Sequence, residues 1–328
     1  MTTWLVTGGA GYIGAHVVRV LAASGRKVVV LDDFSSGLER KVPEGVPIVR
    51  ASVADREAVA AALIEHQVDG VIHLAAKKAA GESVDIPLHY YRENVVGMLS
   101  LLEAMHDSGV RCFVYSSSAA VYGTPLANPI GEDAPLVPDS PYGETKVVGE
   151  WMTHDQGIAA RLSWVALRYF NVAGAASDDL GDNSVNNLVP MVFRALAEGE
   201  RPRIFGDDYP TPDGTCIRDY IHVADLAEAH VAAAAHCETH ESAVALNVGR
   251  GVGSSVREVM DMVSEVIGTD VDPLTVSRRA GDPPASTAAT LQIYQTLGWS
   301  AGRDLRDMVS SAWSAWQAHP PHRGSRNR

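Results

Sequence analysis

A chain of 328 residues is long enough for two domains and a large core. Its 40 acidic against 27 basic side chains give a formal charge of −13, which argues against nucleic acid or an anionic membrane as partner. Cys112, Cys216 and Cys237 lack metal-ligand spacing and fit a reducing cytoplasm, no apolar stretch suits a bilayer, and no metal is expected.

Met1-Thr2-Thr3-Trp4 runs straight into a strand, so no signal peptide is expected. Trp4-Leu5-Val6-Thr7 reads as that strand, short and buried. Gly8-Gly9-Ala10-Gly11-Tyr12-Ile13-Gly14 follows, then a helical apolar pattern through Val17, Val18, Leu21 and Ala22. Glycines at 8, 11 and 14 permit a tight turn, approach of a pyrophosphate to the backbone, and close packing of helix on strand. A second strand, Lys27 to Leu31, ends at Asp32, where a carboxylate would bind the adenosine ribose hydroxyls. Asp32 and Asp33 would repel a 2′-phosphate and no arginine directly follows them, so NAD is favoured over NADP.

Further on come Ile48-Val49-Arg50, a helix over Asp55 to His66, the strand Gly70 to Leu74, and a long helix from about Leu88 to Asp107. The strand Cys112 to Tyr115, a helix holding Tyr142, and Trp164 to Arg168 continue the alternation. Such a pattern predicts a Rossmann-type, doubly wound parallel sheet in an α/β fold, with ligands at the carboxyl ends of its strands. Ser118, Lys78 and Asn171 fall just past three strand ends and converge on one crevice. From about Ala175 loops dominate between short helices, which suits a smaller α/β substrate domain.

The chemistry is carried by Tyr142 and Lys146 in Pro141-Tyr142-Gly143-Glu144-Thr145-Lys146, downstream of Ser116-Ser117-Ser118. Pro141 marks a helix start, and a four-residue spacing stacks phenol and ammonium on one helix face. A phenol titrates near ~10, too weak a base at neutral pH, and an adjacent ammonium favours the phenolate. A drop of ~3 units would take roughly 4 kcal/mol of differential stabilisation. A nearby serine hydroxyl would hold the oxygen whose proton is leaving. Tyr-x-x-x-Lys is a common accident by itself, and the preceding glycine turn is what gives it weight. The acidic chain must also hold any anionic substrate in a locally positive site, for which Arg218 and Arg279 are candidates.

With these residues in place the chain resembles the extended short-chain dehydrogenase/reductase family, and within it the UDP-glucose (UDP-galactose) 4-epimerases, from Trp4 to about Trp299. The resemblance is carried by Thr7-Gly-Gly-Ala-Gly-Tyr-Ile-Gly14, Gly81-Glu82-Ser83-Val84, Ser116-Ser-Ser-Ala-Ala-Val-Tyr-Gly123, Pro141-Tyr-Gly143 and Leu167-Arg-Tyr-Phe-Asn171. Asn186-Asn187-Leu188, Phe205-Gly-Asp-Asp-Tyr-Pro-Thr-Pro-Asp-Gly-Thr215 and Arg218-Asp-Tyr-Ile-His-Val223 continue it, and the run from Phe205 to Val223 is the narrowest signal.

The resemblance implies an isomerase that turns UDP-galactose into UDP-glucose through a 4-keto sugar, with retained NAD. Tyr142 would be the base, Lys146 would lower its pKa and bind the nicotinamide ribose, and Ser118 would hydrogen-bond the sugar O4. The backbone of Tyr12 and Ile13 would meet the pyrophosphate between Gly8, Gly11 and Gly14. The remaining cofactor contacts it implies are Asp32, Asp33, Phe34, Ser35, Ser36 and Gly37, then Ser52 and Val53, Leu74, Ala75 and Ala76, Lys78, Asn94 and Phe170. The UDP-sugar would meet Asn171, Asn187, Leu188, Arg203, Ile204, Phe205, Arg218, Arg279, Asp282 and Ser286, as well as Ser118 and Tyr142. Residues 1–174, joined by parts of 215–235, would bind NAD; 175–318 would bind the UDP-sugar; 319–328 would be a disordered tail. The family also implies a cytoplasmic homodimer in galactose metabolism, built on the helix from about Leu88 and the Tyr142 helix. His73 and His222 sit inside matched motifs and read as structural.

Two positions depart from the family's pattern. Ser52 stands where an aspartate usually contacts the adenine, which weakens that contact. Ser286 stands where members that exclude N-acetylated sugars place a tyrosine, so UDP-N-acetylglucosamine and UDP-N-acetylgalactosamine are expected as substrates too. A 4,6-dehydratase on the same fold needs a carboxylic acid beside the active-site hydroxyl, and Ser118-Ala119-Ala120 offers none. A uronic-acid or pentose epimerase is less easily excluded. A non-catalytic NAD-sensing protein would have no need to keep Ser118, Tyr142 and Lys146 together.

Overall fold

The computed structural model describes residues 1–184, 186–279 and 281–320, so the tail expected over 319–328 lies, from 321 on, outside the described residues. Its strands are β1 (Thr3–Thr7), β2 (Lys27–Asp32), β3 (Ile48–Arg50), β4 (Gly70–His73), β5 (Cys112–Ser118), β6 (Ser163–Tyr169), β7 (Asn171–Ala173), β8 (Arg203–Phe205), β9 (Ile217–His222), β10 (Ala243–Val248), β11 (Gly253–Ser255), β12 (Leu274–Val276) and β13 (Ala285–Ser286). The helices are α1 (Tyr12–Ala23), α2 (Arg56–Glu65), α3 (Ala80–Asp85), α4 (Pro87–Tyr90), α5 (Gly97–Ser108), α6 (Pro141–Ala160), α7 (Leu188–Ala197), α8 (Val223–Thr239), α9 (Val256–Ile267), α10 (Leu291–Leu297) and α11 (Leu305–Ala318).

Seven strands form one parallel sheet in the order β10-β6-β5-β4-β1-β2-β3. The near-continuous apolar runs of β1 and β2 are what a strand covered on both faces requires. Val6, Val17, Leu21, Val30 and Leu226 pack on one face beneath α1 and α8. Leu5, Val29, Leu63, Met98, Leu101 and Phe113 pack on the other beneath α2 and α5. Strand order reverses between β1 and β4, and a crevice opens at the carboxyl ends on either side of such a switch point.

The second layer of structure is a small sheet in which β9 pairs with β7, β11 and β13, beside the ribbon β8–β12. Val192, Phe193, Ile204, Tyr220, Met260 and Met308 form its core. The chain returns to the large sheet through α8 and β10, the strand that pairs with β6.

Several elements differ from the sequence-based expectation. The helix expected over Leu88 to Asp107 is broken: α4 passes into a π-helical turn over Tyr91–Val96 before α5. The strand expected to end at Tyr115 runs to Ser118, because the serines keep pairing with β6 up to Tyr169. The second half is less loop-rich than expected, since α8 spans 17 residues, α9 12 and α11 14. Alanines at 224, 227, 229 and 232–235 make α8 a strong helix former despite its weak amphipathic pattern. Among the described residues no helix is long and apolar enough to cross a membrane.

Candidate active site

The glycine turn is built as its spacing suggests. Gly8 has φ +70°, and a Cβ there would sit 2.8 Å from the Ala75 nitrogen. A Cβ on Gly14 would lie 2.1 Å from the Gly8 carbonyl oxygen, so any side chain would push α1 off the turn. Gly11 caps α1 without a side chain, leaving its first N–H groups available to an anion. Asp32 ends β2 beside this turn and accepts from the Ala10 N–H at 2.9 Å and the Phe34 N–H at 2.8 Å. Burial pushes its carboxyl up, and those two N–H groups oppose the rise.

The other expected cofactor residues follow the ends of β2, β3 and β4, with Asn94 in the π-helical turn. Arg50 stacks 4.5 Å above the Phe34 ring, the Ser35 N–H donates to Asp33 at 2.8 Å, and Gly37 packs against the Asp32 carboxylate. The lone Ser36 side chain is exposed. The Ser52 hydroxyl already accepts from the Ala54 N–H at 3.2 Å, and Val53 is buried against Gly97. Leu74, Ala75 and Ala76 leave the end of β4, with the Ala75 N–H on the Thr7 hydroxyl at 3.3 Å. The exposed Lys78 ammonium lies 6.0 Å from the Tyr12 ring. Asn94, turned inward by the π-helical segment, accepts from the Lys77 N–H at 2.8 Å and donates to the Lys77 carbonyl and the Thr145 hydroxyl, each at 3.0 Å. Its amide is thus fully used in tying the Lys78 segment to α6.

Tyr142, Lys146 and Ser118 meet at the carboxyl end of β5. Ser140 caps α6 by accepting from the Gly143 N–H at 3.2 Å, and Pro141 occupies the first helical position. The remaining buried N–H, that of Tyr142, donates to Ser83 at 3.1 Å. Tyr142 is 7% exposed and Lys146 3%. The Lys146 ammonium donates to the Ser116 carbonyl at 2.8 Å and lies 5.9 Å from the Tyr142 ring centre.

The electrostatics differ from the simple expectation that Lys146 brings the phenol down. Burial pushes the Tyr142 phenol up, and the opposing influence is the neighbouring Ser118 hydroxyl. Lys146 is itself desolvated, which draws its ammonium down to about 8, against the pull of Glu150. Glu150 is one further turn along the same face. Its carboxylate accepts from Ser117 at 2.5 Å and takes two N–H groups of Arg168 at 2.9 and 2.6 Å, a buried pair. The Tyr142, Lys146, Glu150 spacing was available in the sequence; the Ser83 bond was not, since it joins α3 to α6.

His73 and His222 have structural partners. His73 shares a 2.7 Å bond with the Thr7 hydroxyl, while His222 accepts from the Ala224 N–H at 3.0 Å and meets Ser311.

The expected UDP-sugar residues lie on β7, β8, β9, β13 and the start of α7, with Arg279 and Asp282 between β12 and β13. Phe170, expected at the cofactor, is buried at the end of β6, and the exposed Asn171 opens β7 opposite Tyr220. Asn187 precedes Leu188 at the start of α7 and donates to Asp182 at 2.7 Å. Arg203, Ile204 and Phe205 form β8, and the Arg279 guanidinium lies 3.8 Å over the Phe205 ring. One Arg218 nitrogen donates to the carbonyls of Ile217 and Pro283 at 2.9 and 2.8 Å, and another pairs with Asp282 at 3.3 Å. Ser286 sits in β13 directly opposite Arg218. Two guanidiniums on this wall would balance an otherwise acidic molecule against a diphosphate.

The sequence profile of the NAD dependent epimerase/dehydratase family matches residues 4–249. A UDP-glucose 4-epimerase of Azospirillum brasilense is 44% identical over 320 residues, covering 95% of this chain and 91% of its own. The structure of a UDP-glucose-4-epimerase from Stenotrophomonas maltophila, with bound NAD and formylated UDP-arabinopyranose, superposes with a TM-score of 0.93 at 39% identity, over 97% of this chain and 98% of that one. A UDP-Glc/GlcNAc 4-epimerase from Campylobacter jejuni superposes with a TM-score of 0.86 at 35% identity, over 97% and 99%.

Proposed function

We propose, because this chain belongs to the NAD dependent epimerase/dehydratase family, that it catalyses the NAD-dependent 4-epimerisation of UDP-galactose to UDP-glucose. The observation that carries the reading is the meeting of Tyr142, Lys146 and Ser118 at a strand end beside the glycine turn. That turn fits a dinucleotide, since only glycine at 8 and 14 lets the turn pack this closely on β4 and α1, which leaves the first N–H groups of α1 open to a pyrophosphate, and Asp32 at the end of β2 would bind a ribose. Gly8, Gly11, Gly14, Asp32 and the Lys78 segment would hold NAD. Bound NAD supplies a reversible hydride acceptor, which lets an unactivated alcohol carbon pass through its ketone.

The side chains divide the remaining work. Tyr142 takes the C4 hydroxyl proton and later returns it, while Ser118 holds O4. Burial makes Tyr142 a poor base and the neighbouring Ser118 hydroxyl opposes this; Lys146, drawn down to about 8, keeps its proton at neutral pH and adds a positive charge 5.9 Å from the Tyr142 ring. Arg218 and Arg279 hold the diphosphate, leaving the 4-keto sugar tethered but free to present its other face. NAD on 1–174 with 215–235, and the UDP-sugar on 175–318, is the proposed division of labour, with β10 adding to the first part.

Three finer readings belong to the same proposal. The small Ser286 leaves room beside the sugar's C2, which supports N-acetylated substrates of the kind for which the Campylobacter jejuni enzyme is named. Leu99, Trp151 and Ile158 stand 47, 60 and 72% exposed on α5 and α6, which supports a homodimer through these helices. Three free cysteines support a reducing, cytoplasmic setting, and the UDP-galactose reading supports a place in galactose metabolism. The test is to incubate the purified protein with UDP-galactose and no added NAD: UDP-glucose should form, and unchanged substrate would reject the reading.

A further inference from the structure

Helix α1 carries Tyr12, His16 and Arg19 at i, i+4 and i+7, on one face, and each grips the connector that leaves β7. The Tyr12 hydroxyl donates to the Gly174 carbonyl at 2.6 Å. The His16 ring accepts the Ala176 N–H on Nε2 at 3.0 Å and donates from Nδ1 to the Tyr12 carbonyl at 2.8 Å, so both nitrogens of a neutral ring are used. Arg19 pairs with Asp179. Farther along, the Lys41 ammonium donates to the Gly181 carbonyl at 2.7 Å.

Lys41 is only 3% exposed, and a buried ammonium needs a counter-charge. The field of Asp182, next along the chain from Gly181, favours that charge, and its carboxylate accepts from Ser184 N–H at 2.9 Å, Ser184 hydroxyl at 2.6 Å and Asn187 at 2.7 Å. Lys41 closes the turn that follows β2, the strand that ends at Asp32. A continuous polar line therefore runs from that turn through Gly181 and Asp182 to Asn187, at the start of α7.

We propose that His16, Arg19 and Lys41 are positioning residues: His16 and Arg19 fasten the connector Gly174–Gly181 to α1, Lys41 fastens its end to the segment following β2, and together they hold Asn187 and Leu188 at the UDP-sugar. The inference rests on the assignment of Asn187 to the UDP-sugar made above. Its chemical sense is that a sugar free to turn needs its diphosphate held at a fixed distance from the cofactor, and the connector, pinned at Gly174, Ala176, Asp179 and Gly181, is one of the elements that sets that distance.

Lys41→Met removes the ammonium and keeps a side chain of similar reach. The experiment compares the NAD-loaded native protein, Lys41→Met, Asn187→Ala and the double variant by UDP calorimetry, NAD content after denaturation, and kcat and KM for UDP-galactose. Expected are about tenfold weaker UDP binding and a raised KM in Lys41→Met, undiminished NAD content, and an effect of Lys41→Met that largely disappears in the Asn187→Ala background. Additive losses, or UDP affinity within about twofold of the native value, overturn the proposal while leaving the assignment of Asn187 intact. Native affinity in Asn187→Ala instead removes that assignment, and the inference with it. Should Lys41→Met not fold, Arg19→Gln, on a half-exposed ion pair, carries the same cycle and must show the same non-additivity.

Discussion

The demands on Tyr142 are contradictory, and its neighbours resolve them. A buried phenol holds its proton, yet the reaction needs that proton to leave. Tyr142→Phe keeps the ring and removes the oxygen, so turnover should fall by at least ~100-fold while UDP binding by calorimetry stays near native. Full activity in that variant would transfer the base to Ser118 or water. Ser286 sets a second residue-scale expectation. Ser286→Tyr should suppress interconversion of the N-acetylhexosamine substrates and spare the simple hexoses, because the clash is confined to the C2 substituent. Equal loss on both, in product assays with each UDP-sugar, would show that Ser286 does not set the width of the pocket. At this scale the spacing of Tyr142 and Lys146 and the glycines at 8, 11 and 14 were legible in the sequence. The rise of the phenol with burial, the Ser83 bond and the Glu150–Arg168 pair were not, since each depends on residues brought together from distant segments.

Among the elements, α6 carries the most. One face bears Tyr142, Lys146 and Glu150 toward the sheet, while Trp151 and Ile158 look outward. An exposed tryptophan on a helix that also anchors the base calls for a covering surface, and α5 supplies a matching outward Leu99. On the proposed homodimer, the native protein should sediment as a dimer and Trp151→Glu as a monomer with unchanged circular dichroism; a monomeric native protein would reject the dimer, and a dimer undiminished by this charge would place the contact elsewhere. Strands β1, β2, β4 and β5 were readable because buried parallel strands are apolar throughout. The π-helical turn at Tyr91–Val96 was not, because it answers to a tertiary need, the inward Asn94, and not to a local propensity. Strand β10 was also missed, since it joins β6 from 79 residues away, with the start at Ala243 opposite Trp164.

For the whole molecule, burial of neutral imidazoles sets the response to acid. His16, His222 and His230 are drawn down to about 4 and His73 to about 3, in each case first by burial, from an ordinary 6.5. Below 6.5 the unfolded chain takes up protons that the folded one refuses, so stability is lost as pH falls from 6.5 toward 4. Each group contributes a slope of up to about 1.4 kcal/mol per pH unit. Urea unfolding should therefore show a distinctly lower midpoint at about pH 5 than at about pH 7, and equal midpoints would mean that these rings are charged in the fold. The central claim, that the C4 hydrogen leaves as hydride and returns within one closed site, is tested by turning over UDP-galactose in heavy water. The UDP-glucose formed should carry no deuterium at C4, whereas deuterium at that carbon would mean the hydrogen passed through solvent as a proton and would contradict the account.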